Sequence, residues 1–247
     1  MLCSTPGFVL HTTPYGETSV IARVFTRQLG VKPYIVKGVR TTNGRLKQNL
    51  LQPLSHLDMV VYESPHANIN HIKEMTPADN NLNPPSSTTH TELDEIRKAI
   101  RFFVCEALYK GLRDEEPSPA LFDFVSQTLD EINHRTQSLA HHPIVFLIGL
   151  ANHLGILPLN NYSQTEPYFN ITEGRFESYN TPATLMSQRL SLLLHHYIDT
   201  ALCGHQPPVT SADERKAILD YLISYLHHHI ASFGNFKSHE VLHAVLR

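Results

Sequence analysis

Cysteine, charge and long apolar runs are all scarce in this chain. Its 247 residues hold three cysteines, Cys3, Cys105 and Cys203, far apart and without a C-x-x-C pair. That odd, scattered set argues against a disulfide framework or a cysteine-rich zinc module and fits a reducing compartment. Charged residues make up 17% against 41% hydrophobic, so there is material for real cores and too little charge for a disordered chain. The length suits one large domain or two modest ones. The most apolar stretch, Ile144 to Leu159, is interrupted by Asn152 and His153. It falls short of the ~20 residues that a membrane helix needs. The first residues lack a basic start, and Pro6, Gly7 and Pro14 break them where the apolar core of a secretory signal would run. The expectation is a soluble, cytoplasmic protein. Missing too are a phosphate-cradling glycine loop ending in Lys-Ser/Thr, a G-x-S-x-G elbow and a dinucleotide fingerprint, so nothing points to an enzyme.

What is present divides near residue 85. Before it, short runs rich in β-branched and aromatic residues alternate with turns. They are Gly7 to Thr12, Ser19 to Thr26, Lys32 to Val39, Leu50 to Glu63 and Asn68 to Met75. This rhythm predicts a small all-β unit. The Val20 to Phe25 run is apolar on both sides, as barrel strands partly covered by another domain would be. Asn80 to Thr91 (NNLNPPSSTTHT) is almost free of apolar residues and reads as a linker. Beyond it the period becomes helical. Leu93, Ile96, Ile100, Phe103 and Ala107 form one stripe, and Pro119 opens a second with Leu121, Phe122, Val125, Leu129 and Ile132. Pro143 opens a third helix that is apolar nearly all round and therefore central. Two more run from about Pro182 to Ala201 and from Ser211, where Ser211 and Glu214 form a capping-box pattern, to Ser232. Gly155 to Thr181 reads as irregular. The predicted architecture is α+β and multidomain: a barrel over 1–80, a linker over 81–91 and an all-helical domain over 92–247.

Charge is uneven between the halves. The whole chain carries −3, but residues 1–75 hold eight Lys/Arg against four acids, leaving a net −7 for the rest. Seven of those bases fall between Arg23 and Lys47 with no acid among them, next to Phe25 and Tyr34. Cations release counterions from phosphates and rings stack on bases, so a basic, aromatic-bearing β module suits a nucleic-acid strand. A solvated face on an ordinary barrel is the alternative.

His239-Glu240-Val241-Leu242-His243 matches H-E-x-x-H, which places two His on one helical face around a Glu base. Only four residues follow, and a terminal helix makes a poor floor for a cleft. The expected arrangement is a short helix that packs Val241, Leu242 and Val245 inward with its His exposed. With 17 His in the chain, such a match arises by chance. The run His227 to His229 cannot all face one point, and His141-His142 and His195-His196 are likewise adjacent; any could bind a metal adventitiously, but surface or half-buried His are expected. No metal ligand is assigned.

The first half also carries a specific order of short blocks: Gly7-Phe8-Val9-Leu10, Tyr15-Gly16-Glu17-Thr18-Ser19, Val24-Phe25-Thr26, Val36-Lys37-Gly38-Val39-Arg40 and Leu51-Gln52-Pro53. In this order and spacing it resembles the N-terminal OB-fold of the RecO family of bacterial recombination mediators. Ile144 to Pro158, with Leu154-Gly155, resembles that family's central helix and following turn. Phe236 to Leu242 resembles its closing segment, with His239 where the family usually has Arg. Some members carry four cysteines between the third and fourth helices, and here Gly155 to Thr181 has none, so no zinc module is expected.

The resemblance implies binding of single- and double-stranded DNA and annealing of complementary strands. It also implies help, with RecR, in loading RecA onto strands coated by single-stranded DNA-binding protein (SSB). On that reading Arg23, Arg27, Lys37, Arg40, Arg45 and Lys47 contact phosphates. Lys37 to Arg40 leads the set, because Gly38 allows close backbone approach. The acidic, aromatic-ended SSB tail would need an apolar pocket with a cation, sought in the helical half. No cofactor is implied. The competing classes are a protein-interaction scaffold built on the same barrel and an H-E-x-x-H zinc hydrolase.

Overall fold

A closed barrel follows from the strand rhythm of the first half. In this computed structural model the described residues are 1–41, 44–64, 69–78, 91–112, 116–135, 138–179 and 186–246, without the side chains of Arg45 and Leu46. Strands β1 (Leu2–Tyr15), β2 (Ser19–Thr26), β3 (Gly30–Val36), β4 (His56–Tyr62) and β5 (Asn70–Pro77) pair in the order β1-β2-β3-β5-β4 and close back onto β1. All pairs are antiparallel except β3 with β5, which is the five-stranded OB-type closure. Long β1 serves both neighbours: Gly7 lies opposite Thr26 on β2 and Leu57 on β4. Gly7 is required there, since a Cβ would stand 2.7 Å from Val24 Cγ1 and 2.8 Å from Met59 Cε. Val9, Val20, Ala22, Val24, Tyr34, Leu57, Met59 and Val61 fill the interior.

A short helix, α1 (Arg45–Leu50), stands where turns were expected, and the predicted 50–63 strand begins only at His56. Leu54 separates the two with φ 55°, a left-handed conformation that costs a non-glycine residue roughly 1–2 kcal/mol. Complete burial of its side chain and a 2.7 Å hydrogen bond from its N–H to the Val9 carbonyl offset that cost.

Helices α2 (Glu92–Gly111), α3 (Pro119–His134), α4 (His142–His153), α5 (Gln188–Cys203), α6 (Ala212–His229) and α7 (Ser238–Val245) make up most of the remainder. The chain divides into two compact units. One holds Met1–His90 with Leu108–His134, and the other holds Thr91–Ala107 with Arg135–Arg247. The segment expected as one helical domain is thus shared, and the reason is apolar. Phe122 of α3 stacks on Phe8 at 4.8 Å and approaches Phe25 at 5.4 Å and His56 at 5.9 Å. The cover expected from another domain is supplied instead by α3, within the barrel's own unit. Apart from Thr91, the expected linker lies outside the described residues.

In the second unit α4, α5 and α6 pack together, with α4 buried almost all round. The Ser211–Glu214 capping box forms in full, with reciprocal bonds of 3.1 and 2.8 Å. The segment expected to be irregular carries a small hairpin, β6 (Tyr168–Asn170) and β7 (Arg175–Glu177), so this helical region is not purely helical. Asn170 Oδ1 accepts from the N–H groups of Thr172 (3.0 Å) and Glu173 (3.2 Å), which closes the turn between these strands. Among the described residues no helix is long and apolar enough to cross a membrane.

Candidate nucleic-acid interface

The basic stretch does not act as one surface. Lys37 opens the turn after β3 and is exposed, and Gly38 beside it has φ +70°. That conformation is what calls for glycine at this position. Lys47 reaches back from α1, and its Nζ donates to the Lys37 carbonyl at 3.0 Å. The turn is further fixed by Thr41 Oγ1 donating to the Gly38 carbonyl at 3.0 Å. Arg40, also exposed, donates through Nη1 to the Gly16 carbonyl at 3.0 Å, and its N–H bonds the Thr18 carbonyl at 2.9 Å. These bonds hold the cationic turn on the barrel while leaving donors on each side chain.

Lys37 and Lys47 line a groove of about 750 Å³ on the barrel together with Tyr62, His71 and Lys73. Ile35, Val36, Leu50 and Ile72 add apolar lining, and among the described residues Glu74, which pairs with Lys73 at 3.1 Å, is its one carboxylate. Arg40 lines a neighbouring cleft with Thr12, Gln48 and Gln52. A channel lined by three lysines, with an exposed tyrosine ring beside them, has the parts needed to track a phosphate backbone and stack a base.

Arg23 and Arg27 line neither cavity. Arg23 Nη2 donates to the Leu112 carbonyl at 3.0 Å, and its guanidinium lies 5.5 Å from the centre of the Tyr109 ring. Arg27 grips Asp123 of α3 in a two-pronged pair, Nε–Oδ1 3.0 Å and Nη2–Oδ2 2.9 Å. The pair's hydrogen bond and charge hold Asp123 below the usual carboxylate range and Arg27 above its own. Lys32 is likewise engaged, by Glu63. The Arg45 side chain lies outside the described residues. Phe25 and Tyr34, expected as stacking rings, are core residues with 1% and 0% exposure. The ring exposed at the groove is instead Tyr62, 49% exposed on β4.

Tyr62, His71 and Lys73 escaped the sequence reading because they come from strands far along the chain from the basic cluster. The parallel pairing of β3 with β5 brings in His71, opposite Ile35, and Lys73, and the antiparallel pairing of β5 with β4 sets Tyr62 opposite His71. The only hint was compositional: Lys73 is the eighth base of the first half, the one outside the Arg23–Lys47 run.

The terminal helix is turned differently from expectation. Leu242 is buried, but Val241 is 56% exposed, and His239 and His243 are half-buried. Residues 239, 242, 243 and 246 share one helical face, and that face points inward.

Family comparisons cover both halves. The family described as Recombination protein O N terminal matches residues 1–81, and Recombination protein O C terminal matches residues 94–240. A curated relative from Flavobacterium psychrophilum, named DNA repair protein RecO, is 28% identical over 247 residues, 99% of each chain. One of the same name from Christiangramia forsetii is 25% identical over 246 residues, again 99% of each. Another from Porphyromonas gingivalis is 27% identical over 248 residues, 98% of each.

Proposed function

The chain belongs to the RecO family, and from that premise we propose that it is a DNA-binding recombination mediator of DNA repair. It anneals complementary strands and helps RecR to load RecA onto SSB-coated single-stranded DNA. The observation that supports this reading most directly is the convergence of Lys37, Lys47 and Lys73 on one groove with Tyr62. Lysine ammonium groups neutralise phosphates without reading sequence, which suits a protein that must hold any strand. Two strands held by their backbones keep their base edges free to pair. The work is binding and displacement in the cytoplasm, with no covalent step and no cofactor.

Of the six residues expected at phosphates, Lys37, Arg40 and Lys47 remain in this reading. Arg23 and Arg27 serve instead to attach the end of α2 and α3 to the barrel. For the SSB tail, the reading favours a groove of about 560 Å³ in the second unit, where Pro143, Ile144, Leu219 and Leu242 adjoin Arg215 and Lys216. Apolar lining beside two cations is the combination an acidic, aromatic-ended peptide needs, although Asp213 and Glu240 also line it.

Strand annealing measured with and without SSB tests the proposal. The protein should accelerate annealing of bare strands, keep doing so on SSB-coated ones, and bind single strands less tightly as salt rises. Absence of acceleration together with salt-insensitive binding would favour a protein-interaction scaffold.

A further inference from the structure

Away from the barrel groove, two side-chain clusters among the described residues have the composition and spacing of a metal centre, and one of them holds an unpartnered buried nitrogen. His239 and His243 stand one helical turn apart on α7, with ring centres 5.5 Å apart and planes at 88°. Asp220 of α6 meets them, its Oδ1 2.9 Å from His243 Nε2. One donor atom from each of the three lies within 4.8 Å of the others. His239 Nδ1 is buried and has no hydrogen-bond partner. A buried ring nitrogen of this kind is costly unless something binds it.

From this geometry we infer that Asp220, His239 and His243 form a site for a divalent transition metal, with zinc as the fitting ion. Two imidazoles and a carboxylate are borderline ligands that zinc takes at about 2.0–2.2 Å, which puts ligand atoms roughly 3.3 Å apart in a tetrahedron. The His243–Asp220 pair is already closer than that, and the remaining approach to His239 is within reach of side-chain rotation. The inward turn of His239 and His243, where exposed His were expected, is what brings both imidazoles to Asp220.

The metal has a structural task here. Among the residues of α7 only Leu242 is buried. The helix's start is held by Glu106, whose carboxylate accepts from the Lys237 and Ser238 N–H groups at 3.1 and 2.7 Å. A metal bridging Asp220 to His239 and His243 bolts the last helix to α6 along its whole length. The other three-residue cluster, His195, His196 and Asp199, is a weaker candidate. Its His196 is exposed, and Asn160 already bonds both His195 (2.8 Å) and Asp199 (2.8 Å).

The test uses the full-length, metal-stripped protein titrated with Zn(II) against a chromogenic chelator, and with Co(II) for its visible absorption. One equivalent should bind with a tetrahedral or five-coordinate cobalt spectrum, and zinc should raise the melting temperature. Asp220→Asn, which keeps the shape of the side chain, and His239→Ala should each weaken zinc at least about tenfold and abolish the cobalt band. His196→Ala and His228→Ala should change neither. Circular dichroism of each apo variant separates lost ligation from lost folding. Equal affinity in wild type, Asp220→Asn and His239→Ala overturns the assignment, as does loss of the band in His196→Ala or His228→Ala instead.

Discussion

Replacing Lys37 and Lys73 together by Ala removes two exposed positive charges from one groove, of which Lys73 is held, among the described residues, only by a single contact to its exposed neighbour Glu74, and disturbs no core residue. The Lys37 carbonyl still accepts from Lys47, because that bond uses backbone. Each phosphate contact on a single strand contributes about 0.7 to the slope of log affinity against log salt, so the double variant should flatten that slope by about 1.4. At 0.1 M salt this corresponds to binding weakened about 25-fold, or about 1.9 kcal/mol, and the two proteins should converge near 1 M. Fluorescence anisotropy with a labelled oligonucleotide at four or five salt concentrations measures it. The loss should be the same on every sequence tested, since phosphates carry none. Arg27→Ala is the matched control: it removes one charge of the same basic stretch, but one held by Asp123, and should leave the slope unchanged. An unchanged slope in the double variant, or an equal change in Arg27→Ala, refutes the assignment of the groove.

Other consequences are smaller in scope. Phe122→Ala should destabilise the first unit by about 3–5 kcal/mol in urea unfolding, because its buried ring packs on Phe8, Phe25 and His56. Gly7→Ala should cost about 1–3 kcal/mol by the same measurement, since the added methyl meets Val24 and Met59 inside the barrel. His142 is held at about 4, below its usual 6.5, by burial first and then by the charge of Arg135. Protonation therefore favours the unfolded chain: this contribution is complete above about pH 6.5 and is lost as pH falls toward 4. It amounts to about 3 kcal/mol at most, and His142→Gln should flatten the acid limb of stability against pH. Arg215→Ala with Lys216→Ala should weaken an SSB-tail peptide in a titration calorimeter, and unchanged affinity would remove that groove from consideration.

Strands with a clear period and helices opened by proline or a capping box were legible from residue order alone, as β2, α3, α4 and α6 show. Elements held by single local devices were not. Helix α1 has six residues, too few for a period, and ends at a buried leucine in a glycine-like conformation that nothing local advertises. The three-residue strands of the hairpin depend on an asparagine side chain closing their turn. The face of α7 was misjudged because Val241 and Val245 outweigh His in any hydrophobicity reading, whereas Asp220 supplies the partner that draws His243 inward. The basic stretch failed as a surface for the same reason: Asp123 and Glu63, remote in sequence, claim Arg27 and Lys32.

The alternating course of the chain between its two units limits how the molecule can be dissected. Because Leu108–His134 returns to the barrel after Thr91–Ala107 has joined the other unit, no single scission separates two finished pieces. Cleavage near residue 88 would strip Phe122 from its aromatic bed and leave Phe8 and Phe25 bare to solvent, a recipe for aggregation. Dissecting the two units therefore calls for point substitutions in the intact polypeptide, and by the same connection an insertion into α2 is poised to disturb both units at once.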